Sequence, residues 1–191
     1  PNAPFLEEYG TLFSHPSMDV KLAIAKNPNA TRWPMYSKLL NNGGKKIRIE
    51  AAGNPTGPQY KFFSKLYKST SVEVRKAVAS NPNIFLFKDA ITLFDDLSFE
   101  VIGALAANIN APMFPEYKKL FTYRMEYVRV RVAKNPNATR FEEYRLLFND
   151  NLESVRSATA ANRCAPSFKE FASLIDDLSF QVKINFAANP N

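Results

Sequence analysis

Two stretches of the chain read almost alike: Val74-Arg75-Lys76-Ala77-Val78-Ala79-Ser80-Asn81-Pro82-Asn83 and Val128-Arg129-Val130-Arg131-Val132-Ala133-Lys134-Asn135-Pro136-Asn137. The asparagine they share belongs to a longer series. Asn27, Asn54, Asn81, Asn108, Asn135, Asn162 and Asn189 recur every 27 residues, with no insertion or deletion in 191. A fixed period of this size marks an array in which one supersecondary unit stacks on copies of itself. The seven repeats run 1–27, 28–54, 55–81, 82–108, 109–135, 136–162 and 163–189. The unbroken period argues for a single array over 1–191, with no internal linker.

Each repeat can be numbered from the residue after its Asn. Position 1 is Pro in Pro1, Pro28, Pro55, Pro82 and Pro136, and position 4 is Pro or Thr in six repeats. Proline is tolerated at a helix start and stops a helix just behind it. The segment from the Asn to position 4 is therefore a turn between two helices. Positions 6, 9, 12 and 13 form an apolar stripe, as in Phe141, Tyr144, Leu147 and Phe148. Spacings of three, three and one predict one face of a helix over positions 4–14. Thr139 with Glu142 has the form of a capping box at its start. This is the longer predicted helix.

The second predicted helix covers positions 17–26. Ser17, Ser71, Ser98 and Ser179 are good N-caps for it. Position 20 is always β-branched and position 25 is always Ala, from Ala25 to Ala187. Alanine at every copy lets neighbouring helix backbones approach closely. Val128-Arg129-Val130-Arg131-Val132 also alternates like a strand. A strand would point position 22 inward, where Lys76, Gly103 and Ser157 stand, so the helix is preferred. The Asn after this helix is expected to adopt a left-handed backbone and to satisfy free carbonyls. The fold class read from these positions is an all-α solenoid of two-helix repeats.

The segments Val74–Asn83, Val128–Asn137 and Val155–Asn162 resemble the core motif of the leucine-rich repeat variant family, allied in style to HEAT and armadillo arrays. The resemblance implies a right-handed solenoid made only of helices, and for function a binding scaffold. The repeats here are longer than the family's usual ones, and Phe and Tyr replace much of the leucine. The extra residues are expected to let the family's shorter helix lengthen into a true α-helix. One described member carries an iron–sulfur cluster beside its repeats, but this chain lacks the cysteines for it.

Composition narrows the chemistry. One cysteine, Cys164, and one histidine, His15, leave no internal disulfide and no multi-ligand metal site of the usual kind. Neither a catalytic set nor a cofactor is expected. The lone cysteine fits a reducing, intracellular (cytoplasmic) setting. No stretch reaches the 18 or so apolar residues that span a membrane. The adjacent acids Asp95-Asp96 and Asp176-Asp177 read as caps in turns between helices rather than as an acid–base pair. Gly43-Gly44 lacks the spacing of a phosphate loop and reads as a local bend. Phe5, Leu6 and Tyr9 at one end, and Ile184 to Asn189 at the other, lack the polar capping repeats that solenoids need. The chain is therefore expected to be a segment of a longer array or to be covered by neighbouring subunits.

Charge supplies the remaining candidates. The net +7 is uneven: repeats 28–54, 55–81 and 109–135 each carry +4, and repeat 82–108 carries −3. Position 21 is basic in Lys21, Arg48, Arg75, Arg129, Arg156 and Lys183. One reading is an anion track; the preferred one packs each stem on the next repeat and pairs its charge with an acid such as Asp96, Asp150 or Asp177. The candidates for an acidic partner are Lys45, Lys46, Arg48, Arg75 and Lys76, and separately Arg124, Arg129, Arg131 and Lys134. Phe99 and Phe180 close matching Asp-Asp-Leu-Ser-Phe segments. They serve either as staples against the next repeat or as exposed anchors. The function expected is a non-catalytic protein–protein scaffold in a larger assembly, with nucleic-acid binding by the basic repeats as the alternative. No small-molecule substrate and no membrane partner are expected.

Overall fold

A computed structural model describes residues 6–191; Phe5 of the open N-terminal end lies outside the described residues. Two compact units are present, Pro1–Leu93 (the N-terminal lobe) and Phe94–Asn191 (the C-terminal lobe). Every regular element among the described residues is a helix, and none is a strand. The alternating Val128–Val132 run is helical.

In the N-terminal lobe α1 (Met18–Lys26), α3 (Gly44–Gly53) and α5 (Val72–Ala79) pack one on the next. They lie against a second layer containing a 3-10 helix Glu7–Ser14, α2 (Met35–Asn42) and α4 (Phe63–Tyr67). In the C-terminal lobe α6 (Phe99–Ala107), α7 (Glu126–Lys134), α8 (Glu153–Ala161) and α9 (Phe180–Ala187) pack consecutively. Their second layer includes the 3-10 helices Pro115–Leu120, Glu142–Asn149 and Lys169–Asp176.

The first helix of the repeat differs from the expectation of one α-helix over positions 4–14. In repeat 136–162 it is a 3-10 turn Pro136–Arg140, an extended Phe141 (φ −96, ψ 136), and a 3-10 helix Glu142–Asn149. The stripe explains why. A 3-10 helix has three residues per turn, so positions 9 and 12 eclipse along one edge, with position 6 the extended residue just before it. Tyr144 N–H donates to Phe141 O, three residues back, at 3.1 Å. Among the described residues Met35–Asn42 and the shorter Phe63–Tyr67 are α-helical at this place. The capping box also fails: Thr139 Oγ1 donates to Pro136 O, and Glu142 pairs with Arg145 at 2.9 Å. Gly44 joins α2 to α3 with φ +70, a left-handed backbone that side chains disfavour by roughly 1–2 kcal/mol.

The core lies between the layers. Tyr36, Phe63, Tyr117 and Tyr144 at position 9 are fully buried. So are Ile47, Val74, Val101, Val128, Val155 and Val182 at position 20, and position 25 from Ala25 to Ala160. Small or aliphatic residues at position 3 (Ala30, Ile84, Ala111, Ala138, Ala165) are buried too, which the sequence reading did not single out. Rings meet from repeat to repeat: Tyr144 lies 5.4 Å from Phe168, and Phe121 5.9 Å from Phe141.

The recurrent Asn is buried but not left-handed; no residue other than glycine has a positive φ among the described residues. Asn135 is extended, at φ −77 and ψ 114. Its side chain instead joins two repeats. Nδ2 of Asn162 donates to Ala133 O at 2.7 Å and Asn135 O at 3.3 Å, while Oδ1 accepts from Cys164 N at 2.9 Å. Asn54 does the same with Ala25 O, Asn27 O and Thr56 N. One amide thus occupies carbonyls left over at the end of the preceding repeat's α-helix and starts its own 3-10 turn. Tyr36, Tyr117 and Tyr144 add a hydroxyl bond to the carbonyls of Ala25, Ala106 and Ala133. Burial pushes all three phenols above their ordinary range.

Candidate functional site

The position-21 cations differ in whether an acid meets them. In the C-terminal lobe Arg129 grips Asp150 through Nε at 2.6 Å and Nη2 at 3.0 Å, and Arg156 grips Asp177 with the same two distances. Each acid stands 21 residues after its arginine, at position 15 of the next repeat. Nη1 turns back to the carbonyl of the arginine's own turn, Tyr123 O or Asp150 O, at 2.8 Å. The carboxylate also starts the following α-helix: Asp177 Oδ1 accepts from Ser179 N at 2.8 Å. The hydrogen bond from Arg156 holds the Asp177 carboxyl below the usual range, and Asp177 and Asp150 hold their arginines above theirs.

At the first two repeats of the N-terminal lobe the acid is missing. Position 15 is Asn42 opposite Lys21 and Ser69 opposite Arg48. Arg48 Nε is shielded from solvent and has no hydrogen-bond partner. The consequence is a cleft of about 230 Å³ between the first two repeats, lined by Phe13, Ser14, Lys21, Met35, Lys38, Leu39, Asn42 and Gly43. No acid lines it. The cleft in the same register of the C-terminal lobe contains Arg156 with Asp150, Asp176 and Asp177.

The sequence-predicted candidates are scattered among different roles. Lys45 is exposed and pairs with Glu73 at 2.7 Å, and that bond holds the Glu73 carboxyl down to about 2. Lys46 and Lys76 are exposed. Arg75 donates to Ser69 O at 2.8 Å, so its guanidinium is engaged by the turn. Arg129 is occupied by Asp150, with only 11% of its side chain exposed. Arg124 is exposed beside it. Arg131 and Lys134 are exposed and meet in two shallow depressions, one with Tyr127 and Val130 and one with Ile109 and Pro136. Arg131 lies 5.4 Å from the Tyr127 ring centre and donates to Gly103 O at 3.3 Å. Tyr127 lies flat on α6, donating to Phe99 O, and only glycine at position 103 leaves room for its ring.

Phe99 is half exposed and meets Tyr127 edge-on at 6.0 Å, as a staple would, whereas Phe180 is 84% exposed. The more telling residue of their shared segment is the leucine: Leu97 is 100% and Leu178 98% exposed. The sequence reading passed over both leucines, Lys38 and Asn42, and named Lys21 only as one of the position-21 cations. The available signal was the repeat register, which sets Asn42 where Asp150 and Asp177 stand. Among the described residues no cluster of His, Cys, Asp or Glu is placed to hold a metal, and no helix is long and apolar enough to cross a membrane. The chain matches no family model, no curated protein and no solved structure in the comparisons made.

Proposed function

We propose that the chain is a right-handed α-solenoid of seven 27-residue repeats, akin to the leucine-rich repeat variant family, and that it acts as a non-catalytic scaffold binding other proteins. The exposed leucines carry the functional reading. Leu97 and Leu178 at position 16 are open to solvent, and two repeats of identical local sequence put leucine there beside an exposed phenylalanine. Burying one such side chain against a partner contributes roughly 1.5–3 kcal/mol. Apolar anchors held on rigid turns suit a protein interface. The interior polar groups reinforce this reading: the Asn amides, Tyr hydroxyls and Arg–Asp pairs are engaged in holding repeats together.

The double substitution Leu97→Asp with Leu178→Asp tests the reading. It is expected to remove partner proteins captured by the intact chain while leaving the melting temperature within a degree or two. Identical capture by both forms would overturn it. A nucleic-acid reading rests on one observation, the net +7 that lies within residues 1–93. Its mark would be duplex binding that falls steeply with salt and ignores both leucine changes.

A further inference from the structure

The two clefts that share a register have opposite charge. At Arg156 the cleft is closed by a carboxylate of the next repeat, Asp177, gripped at 2.6 and 3.0 Å. At Lys21 the corresponding side chain is Asn42, and a second cation, Lys38, stands where the other cleft has Ser173. The side chains of Lys21, Lys38 and Asn42 make no hydrogen bond or ion pair among the described residues. The amide of Asn42 and the hydroxyl of Ser14 remain as neutral donors on the wall.

We infer that this cleft binds a carboxylate side chain of a protein partner, which takes the place Asp177 occupies in the C-terminal lobe. The inference rests on the scaffold reading and names the partner's chemistry, an acidic segment. The molecule itself supplies the template. Position 21 is built to meet a carboxylate from position 15, and the Lys21 site keeps the cation while Asn42 replaces the acid. Two lysines without an acid repel each other in a partly enclosed space, and an anion between them relieves that repulsion. Phe13 and Leu39 supply apolar walls for the methylenes of a glutamate or aspartate. Phe13 also packs 6.3 Å from Trp33, the chain's single tryptophan, so occupancy should alter its emission.

Asn42→Asp is the decisive variant, because it installs in the chain the carboxylate that the partner would bring. The probe is a fluorescein-labelled, end-capped deca-glutamate peptide, followed by anisotropy and by Trp33 emission. Asn42→Asp and Lys38→Gln should each weaken binding tenfold or more, while Lys61→Gln and Lys88→Gln, outside the cleft, should change it less than twofold. Equal losses from all four would show a diffuse basic surface and overturn the cleft. So would a peptide that the intact chain does not bind, or one that Asn42→Asp still binds as well. Inorganic phosphate that binds where the peptide does not would overturn the carboxylate assignment. Each of these failures leaves the leucine test of the scaffold reading intact, and failure of that test leaves the peptide result standing.

Discussion

The two lobes are built on one backbone pattern and differ in charge. Residues 1–93 carry thirteen Lys and Arg against six Asp and Glu, a net +7, whereas residues 94–191 carry twelve of each. The Asn amide makes the same three bonds at Asn54 and at Asn162. The position-21 cation does not repeat in this way. It is paired at Arg129 and Arg156, and it lacks an acid at Lys21 and Arg48. The difference separates two kinds of work. The buried amide and the apolar positions hold the stack and cannot vary. The ion pair is an addition that Arg129 and Arg156 use and that the Lys21 and Arg48 sites leave open for something else.

The largest effect should come from the element the lobes share. Asn54→Ala and Asn162→Ala each leave two carbonyls short of a donor and an N–H short of its cap. Each carbonyl keeps one other donor, a tyrosine hydroxyl or a turn N–H, so the change removes three hydrogen bonds at roughly 0.5–1.5 kcal/mol each, and a loss of about 2–4 kcal/mol is expected at either site. Urea unfolding, supported by amide exchange near each substitution, should show the two losses equal within about 1 kcal/mol. A loss confined to Asn162 would mean that the lobes are held by different means.

Much of this stack can be read from the chain because burial leaves a periodic mark. Val128 and Val155, Ala133 and Ala160, Leu120 and Leu147 are fully buried where the period places them. The first helix was misread because spacings of three suit both helix types at low resolution. An α-helix drifts off a strict three-residue spacing within two turns, whereas a 3-10 helix keeps it, and positions 9 and 12 keep it inside the helix while position 6 is the extended residue before it. The Asn does stand at the helix end and does satisfy carbonyls, but its backbone is extended rather than left-handed, and its reach to carbonyls 27 and 29 residues back appears only when repeats are stacked. The Arg156–Asp177 pair was half visible, since the acid was named without its offset. The Lys21 cleft was invisible residue by residue: a lysine and an asparagine are ordinary until their register is compared with that of Arg156 and Asp177.

A second way to sharpen the comparison is to make the C-terminal lobe resemble the N-terminal one. Asp177→Asn removes the carboxylate from Arg156 but keeps a side-chain acceptor for Ser179 N. Charge-assisted bonds of this kind contribute roughly 1.5–3 kcal/mol, discounted here because 19% of the arginine side chain meets solvent. A loss of about 1–2 kcal/mol at neutral pH is expected. The pH dependence gives the sign. The folded Asp177 titrates below its ordinary 3.8, so its contribution is full above that value and fades as pH falls through the folded pKa. Intact chain and variant should therefore differ at pH 7 and converge in acid below about pH 4. A constant difference across that range would mean that the loss is one of packing alone.

The smallest effect, and the most specific, comes from the reverse change. Ser69→Asp gives Arg48 the acid that Arg129 and Arg156 already have, at the same offset of 21. The substitution asks little of the backbone. Ser69 Oγ already accepts from Ser71 N at 3.2 Å, the bond that Asp150 and Asp177 make with Leu152 N and Ser179 N. An aspartate would keep that bond and offer its other oxygen to Arg48 Nε, now shielded and unpartnered. A gain of about 1 kcal/mol is expected, limited by the entropy of fixing the side chain and by the partial exposure of the site. Arg48→Met separates the pair from a general effect of added negative charge on a basic lobe. In a double-mutant cycle Ser69→Asp should stabilise the chain with Arg48 present and do nothing with Met in its place. Equal stabilisation in both backgrounds would show that the lobe responds only to its net charge, and the idea that position 21 awaits a carboxylate from position 15 would fall with it.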